Sequence, residues 1–530
     1  MNDPSTSPPP PAECERPLAT RVLGVFYGRT AKEFLGFLLL SVLATRLPLF
    51  LTDILNIDEG GWWMGAKVLL SGGVPFVDFI DNKPPGTYFL YAVPQLLGVE
   101  SLWGVHVLSL LWAFLTALAV GEMAALLSGE EESGSPVGTA VGRAGALFFV
   151  LLSVAGSPRQ FLPLNTENAG LLPFALALLH FVRARMREAP SSGSLFLSGF
   201  FLALAGLCRQ VYLFISPLLA LELLWPWREG ERKIAQLMWI ALGGAVPLVF
   251  FVLYCGATGS LEEARYWIFD ANRSAVGLSV PFLFQARRFA SNLLLPLLIS
   301  LPAWVLLGGA LSNPRTLPSI RARRLRVLFA GAAFLLLCAA GLGARWLGHY
   351  YLPCLVPLAA LAAASFSPFA RPEDPERKPR LALLAMIFSL IGGVSFPAWG
   401  TVAALRGGFP EQSEEIRRAA ERVQSLTAPG EEIFIWGFAQ DLYYLSRRLS
   451  ASRFIAPNAP AMGYLFGVDK AFPGLDPRAQ TDPAQFALLL DDLKKKPPAL
   501  FLDYSEKGFR NFGRIDLRKF PEMVAFLENY

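Results

Sequence analysis

The stretch Ile57-Asp58-Glu59-Gly60-Gly61-Trp62-Trp63 follows directly on a long apolar run that ends near Leu51. An amphipathic run then leads into Phe76-Val77-Asp78-Phe79-Ile80-Asp81-Asn82-Lys83-Pro84-Pro85-Gly86-Thr87-Tyr88. Because acidic side chains are costly in hydrocarbon, an acidic pair at the mouth of a membrane helix indicates a functional site. The alternative is a solvated loop whose carboxylates only mark the end of the helix. The tryptophans, and a lysine followed by two prolines, favour a loop folded onto the membrane surface.

The composition of the whole chain is typical of a protein that crosses a membrane several times. Of its 530 residues, 53% are hydrophobic and 17% are charged, and the mean hydropathy is +0.43. The formal net charge of +5 comes with no basic stripe interleaved with aromatic residues, which argues against nucleic-acid binding. The five cysteines show no metal-ligand spacing and none lies in the soluble C-terminal part, so we expect no structural disulfides there.

The hydropathy pattern predicts about eleven membrane crossings between residues 31 and 405. Residues 1–30, rich in proline and serine, are typical of a disordered cytoplasmic tail without a cleavage site. Several of the apolar runs are short for a hydrocarbon core of about 30 Å, which is tolerable where protein surrounds them. The runs cover approximately 33–51, 102–127, 137–157, 168–184, 195–225, 234–256, 290–311, 325–343, 351–366 and 381–400.

Basic residues in the short loops predict the orientation, because such residues stay in the cytoplasm. Placing every basic cluster inside, together with the N-terminus, requires 195–225 to be a hairpin with Arg209-Gln210 at its outer tip. It also requires 87–98 to lie at the outer interface without crossing. If 87–98 crosses instead and 195–225 is one helix, the number of crossings is unchanged. The clusters are Arg183/Arg185/Arg187, Arg228/Arg232/Lys233, Arg315/Arg321/Arg323/Arg324/Arg326 and Arg371/Arg377/Lys378/Arg380.

The preferred orientation brings the polar loops that carry acids and bases to the outer face, including the loop over 52–100. Residues 406–530 lie on the same face and have the composition of a soluble domain. Within them, the short apolar stretches Glu432–Trp436 and Ala499–Asp503 alternate with helical patterns, which predicts a small α/β domain with a parallel sheet. No glycine-rich phosphate loop follows either stretch, so a nucleotide site is not expected there.

Three groups of residues, in this order along the chain, resemble the first outer loop of the GT-C glycosyltransferases. They are Asp58-Glu59, Gly72-Gly73-Val74-Pro75-Phe76-Val77-Asp78 and Asn82-Lys83-Pro84-Pro85-Gly86-Thr87-Tyr88. The branch they resemble is the protein O-mannosyltransferase and aminoarabinose-transferase-like group. The resemblance implies a polytopic α-helical enzyme of the bacterial inner membrane with an extracytoplasmic α/β domain. Such an enzyme takes a sugar from a polyprenyl-phosphate carrier and transfers it to a lipid, polysaccharide or protein acceptor.

Glycosyl transfer with inversion needs a carboxylate that deprotonates the acceptor hydroxyl and cations that hold the departing phosphate. The resemblance places Asp58 as the general base and Glu59 as a residue that shapes the site, although Glu59 could equally oppose a helix dipole. It places Lys83 as a ligand of the donor phosphate, the alternative being a lysine that snorkels to the interface. Many relatives carry an acid directly before this lysine, whereas this chain has Asn82 there and Asp81 one residue earlier. A specificity for aminoarabinose therefore does not carry over.

Further candidate residues lie in the later outer loops. The candidate ligands of the donor phosphate there are Arg209, Arg345 and His349. Glu167 stands where relatives often have a second acid and could contact the sugar, or it could be an acid at the start of a helix. Asp81 and Tyr350 are the other candidates for binding the sugar or the acceptor. Alternatively, Tyr350 could belong to the belt of aromatic residues at the membrane interface.

We expect no cofactor, because a single histidine near the site and the lack of paired ligands argue against zinc. A divalent ion between Asp58 and Glu167, as in the oligosaccharide-transferring relatives, is the alternative. Three rival functions are a transporter or flippase, a non-catalytic scaffold, and a ligase that moves a whole glycan from a lipid diphosphate. No repeat relates the two halves, and the charges cluster outside rather than at the midplane, which disfavours the transporter. A scaffold would leave the charged residues of the outer loops unexplained.

Overall fold

The computed structural model describes residues 30–129, 135–187, 191–225, 233–276, 279–312, 319–366, 380–457, 459–465, 469–472, 474–506 and 509–530. The predicted tail over 1–30 lies outside the described residues apart from Thr30. So do parts of three of the four predicted basic clusters.

Helices account for most of the described chain, and their bounds follow the predicted apolar runs. The apolar run 102–127 is a helix residue for residue, and the run 195–225 is interrupted at Arg209 as predicted. The helices up to residue 257 are α1 (Ala31–Thr45), α2 (Leu47–Phe50), α3 (Ile57–Leu70), α4 (Gly86–Leu96), α5 (Leu102–Leu127), α6 (Pro136–Leu152), α7 (Pro158–Phe161), α8 (Thr166–Met186), α9 (Ser192–Cys208), α10 (Ser216–Leu224) and α11 (Lys233–Ala257). Those that follow are α12 (Leu261–Arg265), α13 (Ala271–Val276), α14 (Phe282–Asn292), α15 (Leu294–Ser312), α16 (Ile320–Ala339), α17 (Leu352–Ala364), α18 (Arg380–Leu405), α19 (Glu414–Leu426), α20 (Asp441–Ser446), α21 (Ala459–Met462), α22 (Pro483–Lys495) and α23 (Pro521–Glu528).

Four of the described helices, α5, α8, α11 and α18, are long and apolar enough to cross a membrane. The pair α14 and α15, bent by 68° at its junction, is a fifth candidate. Helix α4 has 11 residues, which is too short to cross a core of about 30 Å and agrees with the prediction that 87–98 does not cross. The described helices therefore fit a membrane-spanning architecture, while the predicted number of about eleven crossings is not established by them.

Helix α17 lies at the centre of the apolar helices between residues 31 and 405, and every one of its residues is buried. Small residues let the neighbouring helices approach closely: a Cβ on Gly121 of α5 would lie 2.6 Å from the carbonyl oxygen of Gly142 on α6. Helices α17 and α6 have 13 and 17 residues, respectively. Such short apolar helices are accommodated because protein rather than lipid surrounds them.

The C-terminal segment, residues 406–530, contains a three-stranded parallel sheet in the order β2-β1-β3. The strands are β1 (Glu432–Trp436), β2 (Leu449–Ser450) and β3 (Leu500–Asp503). Four of the five residues of β1 are buried, as expected for a central parallel strand that is covered on both faces. The two predicted strands and their parallel arrangement are therefore confirmed.

The C-terminal segment packs directly on the polar segment, which we define as residues 52–100. One hydrophobic core contains Trp62 and Trp63 of α3 together with Ile433 and Tyr443 of the C-terminal segment. The two parts approach closely at Gly60, where an added Cβ would lie 2.9 Å from the Cα atom of Asp441. The helix that begins with Ile57-Asp58 is thus fixed against the C-terminal segment.

This close approach predicts the effect of a single methyl group. The substitution Gly60→Ala is expected to lower the stability of the protein by about 1–3 kcal/mol, because the backbone of α20 would have to move. Thermal unfolding in lipid nanodiscs measures this effect. Gly36→Ala on α1 is the matched control, since no atom lies within 4 Å of the added Cβ there and alanine favours a helix. An equal shift of the unfolding midpoint in the two variants would contradict the prediction.

Candidate active site

The local sequence around Asp58 fixes the start of α3. Asn56 caps the helix, because its side-chain oxygen accepts a hydrogen bond from the backbone N–H of Asp58 at 2.9 Å. The side-chain amide of Asn56 also donates to the backbone carbonyl of Arg159 at 2.7 Å. Asp58 is therefore held through its backbone, while its side chain stays partly exposed.

The charges around Asp58 suit a proton acceptor. Partial burial, which removes water from around the carboxyl group, raises the pKa of Asp58 from its ordinary value of 3.8 to about 6. The positive charge of Lys83 acts in the opposite direction, whereas the carboxylates of Asp81, Glu167 and Glu411 raise this pKa further. A carboxyl group that titrates this close to neutral pH can take a proton from a substrate and still be ionised before the reaction.

Glu59 has a different environment from its neighbour. Its side chain is fully buried, and one carboxylate oxygen accepts hydrogen bonds from the backbone N–H groups of Leu55 and Asn56, both at 2.9 Å. The other oxygen lies 3.0 Å from Nε2 of His106. Of the two interpretations that the sequence left open, these contacts favour an acid that fixes the start of the helix. We therefore leave Glu59 out of the groups that contact a substrate.

Lys83 lies at the entrance to α4 and is held by its own sequence neighbours. Its ammonium group donates to Asp81 Oδ1 at 3.1 Å and to Asn82 Oδ1 at 3.2 Å. The other oxygen of Asp81 accepts a hydrogen bond from the hydroxyl of Tyr88 at 2.9 Å. The lysine side chain is still 23% exposed, and its charge lowers the pKa of Asp58. These contacts hold the ammonium group where its charge acts on Asp58, which favours a role in the site over a lysine that snorkels to the interface.

Glu167 and Arg209 form an ion pair between two separate helices. Glu167 is the second residue of α8 and only 2% exposed, and its Oε1 lies 3.1 Å from Nε of Arg209. Its other oxygen accepts a hydrogen bond from the hydroxyl of Thr166 at 2.9 Å and lies 3.8 Å from Nε2 of His349. The cap of α8 is Asn165, so Glu167 is both an acid at a helix start and a partner of the site arginine.

Tyr350 and Arg345 lie in the turn before α17, and Tyr350 contacts Arg209 of the ion pair. The guanidinium of Arg209 lies 4.8 Å from the centre of the Tyr350 ring, which is a cation–π contact. Arg345 stands between Ala344 and Trp346, which have φ angles of 56° and 47°. Residues with a side chain rarely adopt positive φ, and such strained turns concentrate at functional sites.

Two residues at the site, Arg288 and Tyr464, were not predicted from the sequence. Nε of Arg288, on α14, donates to the backbone carbonyl of Arg345 at 2.9 Å. Burial raises the pKa of Tyr464 above its ordinary value, and the carboxylates of Asp469 and Asp58 add to this effect. The C-terminal segment therefore reaches the site. A pair of arginines in an amphipathic run could have indicated Arg288, whereas nothing in the local sequence distinguishes Tyr464.

An apolar groove of about 700 Å³ is lined by residues that are close in sequence to Lys83 and Arg209. Its walls come from α4, α5, α8, α9 and α11. Pro85 and Gly86 line it just after Lys83, and Cys208 lines it directly before Arg209. The groove therefore suits a long apolar chain whose anionic head lies between the lysine and the arginine.

A second cavity, of about 450 Å³, is lined by the residues that precede α3 and by residues of the C-terminal segment. It is lined by Ile54, four residues before Asp58, and by Tyr444 of the C-terminal segment. Another wall residue is Glu411, which is buried and accepts a hydrogen bond from Nε of Arg159 at 3.0 Å. The charge of Glu411 acts on the carboxyl group of Asp58, so this cavity is electrostatically coupled to Asp58.

Among the described residues, no group of three or more His, Cys, Asp or Glu side chains is placed to hold a metal ion. The acids of the site are instead paired with cations, Asp81 with Lys83 and Glu167 with Arg209. Lysine and arginine side chains are therefore the positive groups that could stabilise an anion here.

The fold, with the site geometry in place, can be compared with known proteins. No protein-family model and no curated protein sequence matches the chain. The chain superposes on ArnT from Cupriavidus metallidurans bound to undecaprenyl phosphate with a TM-score of 0.57 at 13% identity, covering 91% of this chain and 92% of that one. It superposes on the apo oligosaccharyltransferase of Archaeoglobus fulgidus with a TM-score of 0.51 at 11% identity, covering 86% of this chain and 68% of that one.

Both of these proteins are GT-C glycosyltransferases, and the alignment with ArnT extends over nearly the whole of each chain. At such low identity the similarity concerns the fold. Together with the long apolar helices, it indicates an integral membrane protein. The chain therefore has the GT-C fold of the membrane glycosyltransferases, which the residues of its 52–100 segment predict.

Proposed function

We propose that the chain is a glycosyltransferase that moves a sugar from a polyprenyl-phosphate carrier to an acceptor hydroxyl on the outer face of the membrane. The observation that carries this proposal is the apolar groove, whose wall residues Pro85 and Cys208 lie two residues after Lys83 and one residue before Arg209. A polyprenyl phosphate has the matching shape, a long apolar chain with an anionic head. ArnT, which has the same fold, was solved bound to such a lipid.

In the proposed reaction the acceptor oxygen attacks the anomeric carbon of the sugar, and the bond from that carbon to the phosphate oxygen breaks with inversion. The proton of the acceptor hydroxyl passes to Asp58. The polyprenyl phosphate leaves as a monoester, which can carry one more negative charge than the donor diester. Cations that hold this phosphate therefore stabilise the transition state more than the ground state.

The cations that we assign to the phosphate are Lys83 and Arg209, with Arg345 beside them. Burial lowers the pKa of His349 to about 4, so we assign this residue to the phosphate as a neutral hydrogen-bond donor. The two acids that pair with the first two cations have a supporting role in this assignment. Asp81 fixes the ammonium group of Lys83, and Glu167 fixes the guanidinium group of Arg209. A cation that is already held in place loses less side-chain entropy when it binds a ligand, which favours tight donor binding.

We place the acceptor in the second cavity, because the charge of its wall residue Glu411 acts on Asp58. Its wall residues Glu411 and Tyr444 come from the C-terminal segment, which we propose to be an extracytoplasmic domain that borders the acceptor entrance. This arrangement gives the donor and the acceptor separate binding cavities. The kind of acceptor, whether lipid, polysaccharide or protein, is left open by this arrangement.

A transfer assay tests the proposal. The purified protein in lipid nanodiscs would be given radiolabelled polyprenyl-phosphate sugars and a membrane extract as the acceptor, with and without EDTA. We expect label to move to the extract at a rate that EDTA does not change, because protein cations take the place that a metal ion would have. A parallel experiment places the protein in lipid vesicles. Label that crosses the vesicle bilayer while still attached to its carrier, without any transfer, would favour a transporter.

Filling the groove is expected to weaken donor binding. The substitution Leu204→Trp on α9 places an indole in the groove wall and should lower the affinity for the donor about tenfold or more, because displacing two methylene groups of the carrier costs about 1.6 kcal/mol. Leu197→Trp, at an exposed position of the same helix outside the groove wall, is the matched control. A titration with polyprenyl phosphate, followed by fluorescence, measures both. Equal affinities in the two variants would place the lipid elsewhere.

The rate of transfer is expected to depend on pH through Asp58. Because its pKa is raised to about 6, the base is ionised above this pH and protonated below it. The rate should therefore be level at neutral pH and fall about tenfold for each pH unit below about 6. The donor diester stays ionised throughout, so its charge does not contribute. Single-turnover rates measure this profile, and a rate that does not change across pH 6 would exclude Asp58 as the base.

A further inference from the structure

His106 and Glu59 form a buried pair directly behind the start of α3. Nε2 of His106 lies 3.0 Å from Oε1 of Glu59, and the two side chains are 1% and 0% exposed. A carboxylate can only accept hydrogen bonds, so the N–H group of the imidazole is the donor. Among the described residues, the other ring nitrogen of His106 has no hydrogen-bond partner. The contact with Glu59 is therefore the polar contact that explains a histidine at this position of the apolar helix α5.

A chain of hydrogen bonds connects this histidine to the backbone of Asp58. The second carboxylate oxygen of Glu59 accepts from the N–H groups of Leu55 and Asn56, both at 2.9 Å. The side-chain oxygen of Asn56 in turn accepts from the N–H of Asp58 at 2.9 Å. These are backbone groups before and within the first turn of a helix, which have no partner within the helix itself. Glu59 satisfies two of them only while its carboxylate keeps this orientation.

The start of α3 is also held from a second side, which separates positioning from folding. The amide nitrogen of Asn56 donates to the carbonyl of Arg159, and Arg159 is paired with the buried Glu411. The contact at Gly60 with the C-terminal segment is a third attachment. If His106 is lost, these attachments keep α3 in place. The expected consequence is a rotated or mobile first turn rather than an unfolded helix.

We infer that His106 is a positioning residue for transfer: through Glu59 it fixes the backbone that carries Asp58. Its effect on the rate rests on the proposed function, whereas its effect on the backbone does not. A displacement of about 1 Å at a reacting group can lower a rate about 100-fold. Removing the imidazole leaves the carboxylate of Glu59 buried without this donor, which costs free energy. We therefore expect the carboxylate to rotate and to lose its hydrogen bonds with Leu55 and Asn56.

The test compares His106→Leu with His106→Gln in the full-length protein in nanodiscs. The glutamine amide can reach the position of Nε2 and donate to Glu59, whereas leucine fills the space without a donor. We call the hydrogen bonds from the N–H groups of Leu55 and Asn56 to Glu59 the clamp. Hydrogen exchange of the peptide that covers residues 54–60 measures the stability of this clamp without any substrate. We expect exchange there to become about tenfold faster or more in His106→Leu and to stay near wild type in His106→Gln. His180→Leu, on α8 away from this site, is the control and should leave this exchange unchanged.

The transfer rate and the donor affinity are measured on the same variants. We expect His106→Leu to lower kcat about 100-fold with a donor affinity within about twofold of wild type, and His106→Gln to recover most of the rate. Unchanged exchange in His106→Leu would overturn the inference, and so would faster exchange with a normal kcat. If the wild type shows no transfer from any donor, the proposed function fails, and the exchange result still decides whether the clamp exists.

Discussion

Replacing Asp58 with asparagine is expected to lower kcat for transfer by about 10²–10⁴-fold, the range that a general base contributes. Asparagine has the same shape but cannot take up the proton of the acceptor hydroxyl. Donor affinity should be unchanged or slightly higher. The substitution removes the negative charge of Asp58, which interacts with the positive charge of Lys83, the proposed ligand of the donor phosphate. Single-turnover rates and a separate titration with the donor lipid measure the two effects.

Asp78→Asn is the matched control for this substitution. Asp78 is an exposed acid of the same polar segment, and its carboxylate accepts a hydrogen bond from the backbone N–H of Val74 at 2.7 Å. An asparagine oxygen can accept the same bond, so the rate should stay within about twofold of wild type. If Asp58→Asn retained kcat, the base would lie elsewhere. If it lost donor affinity in proportion to kcat, Asp58 would act by holding the site together.

The features that could be predicted from the sequence are those that a short stretch determines by itself. The apolar run 102–127 contains no charge other than Glu122 and forms one helix over its whole length. The stretch Glu432–Trp436 has the length and the apolar character that are typical of a buried strand, and it pairs as one. Asp58 and Lys83 stood out for a similar reason, because a charge beside an apolar run or directly before two prolines is conspicuous locally.

The features that could not be predicted depend on pairs of residues far apart in the chain. One partner of Glu59 is His106, on another helix, and together with the hydrogen bonds from Leu55 and Asn56 this contact distinguishes an acid at a helix start from a catalytic acid. Tyr464 reaches the site because the C-terminal segment packs on α3, and the close approach at Gly60 is specified by the shape of α20. Local hydropathy contains no information on such contacts.

The number of membrane crossings illustrates the same limit. Helix α17 has 13 residues, all buried, and its sequence alone does not distinguish a short crossing from a core helix. The bend of 68° between α14 and α15 has a similar effect, since the run 290–311 gives no sign that the preceding amphipathic helix turns away from it. Length and composition identify the long helices, whereas packing decides what the short ones do.

The second large effect is expected at the buried ion pair. Arg209→Met should weaken binding of the donor phosphate about tenfold or more, since charge-assisted hydrogen bonds contribute about 1.5–3 kcal/mol. The same substitution should destabilise the protein by about 3–5 kcal/mol, because it leaves the carboxylate of Glu167 buried without the guanidinium 3.1 Å away. Nε2 of His349, at 3.8 Å, compensates only in part. Lipid titration and thermal unfolding measure the two losses.

The double variant Arg209→Met/Glu167→Gln separates these two losses. Removing both charges should restore most of the stability, because no unpaired carboxylate is left in the interior, but it returns no cation to the phosphate. Arg265→Met breaks an exposed pair with Asp270 and should cost at most about 1 kcal/mol, which makes it the control for loss of an arginine as such. A double variant that regains donor affinity along with stability would mean that Arg209 only neutralises Glu167. Stability without affinity is the result expected if the guanidinium binds the phosphate, since only a ligand contact can be lost while the fold is kept.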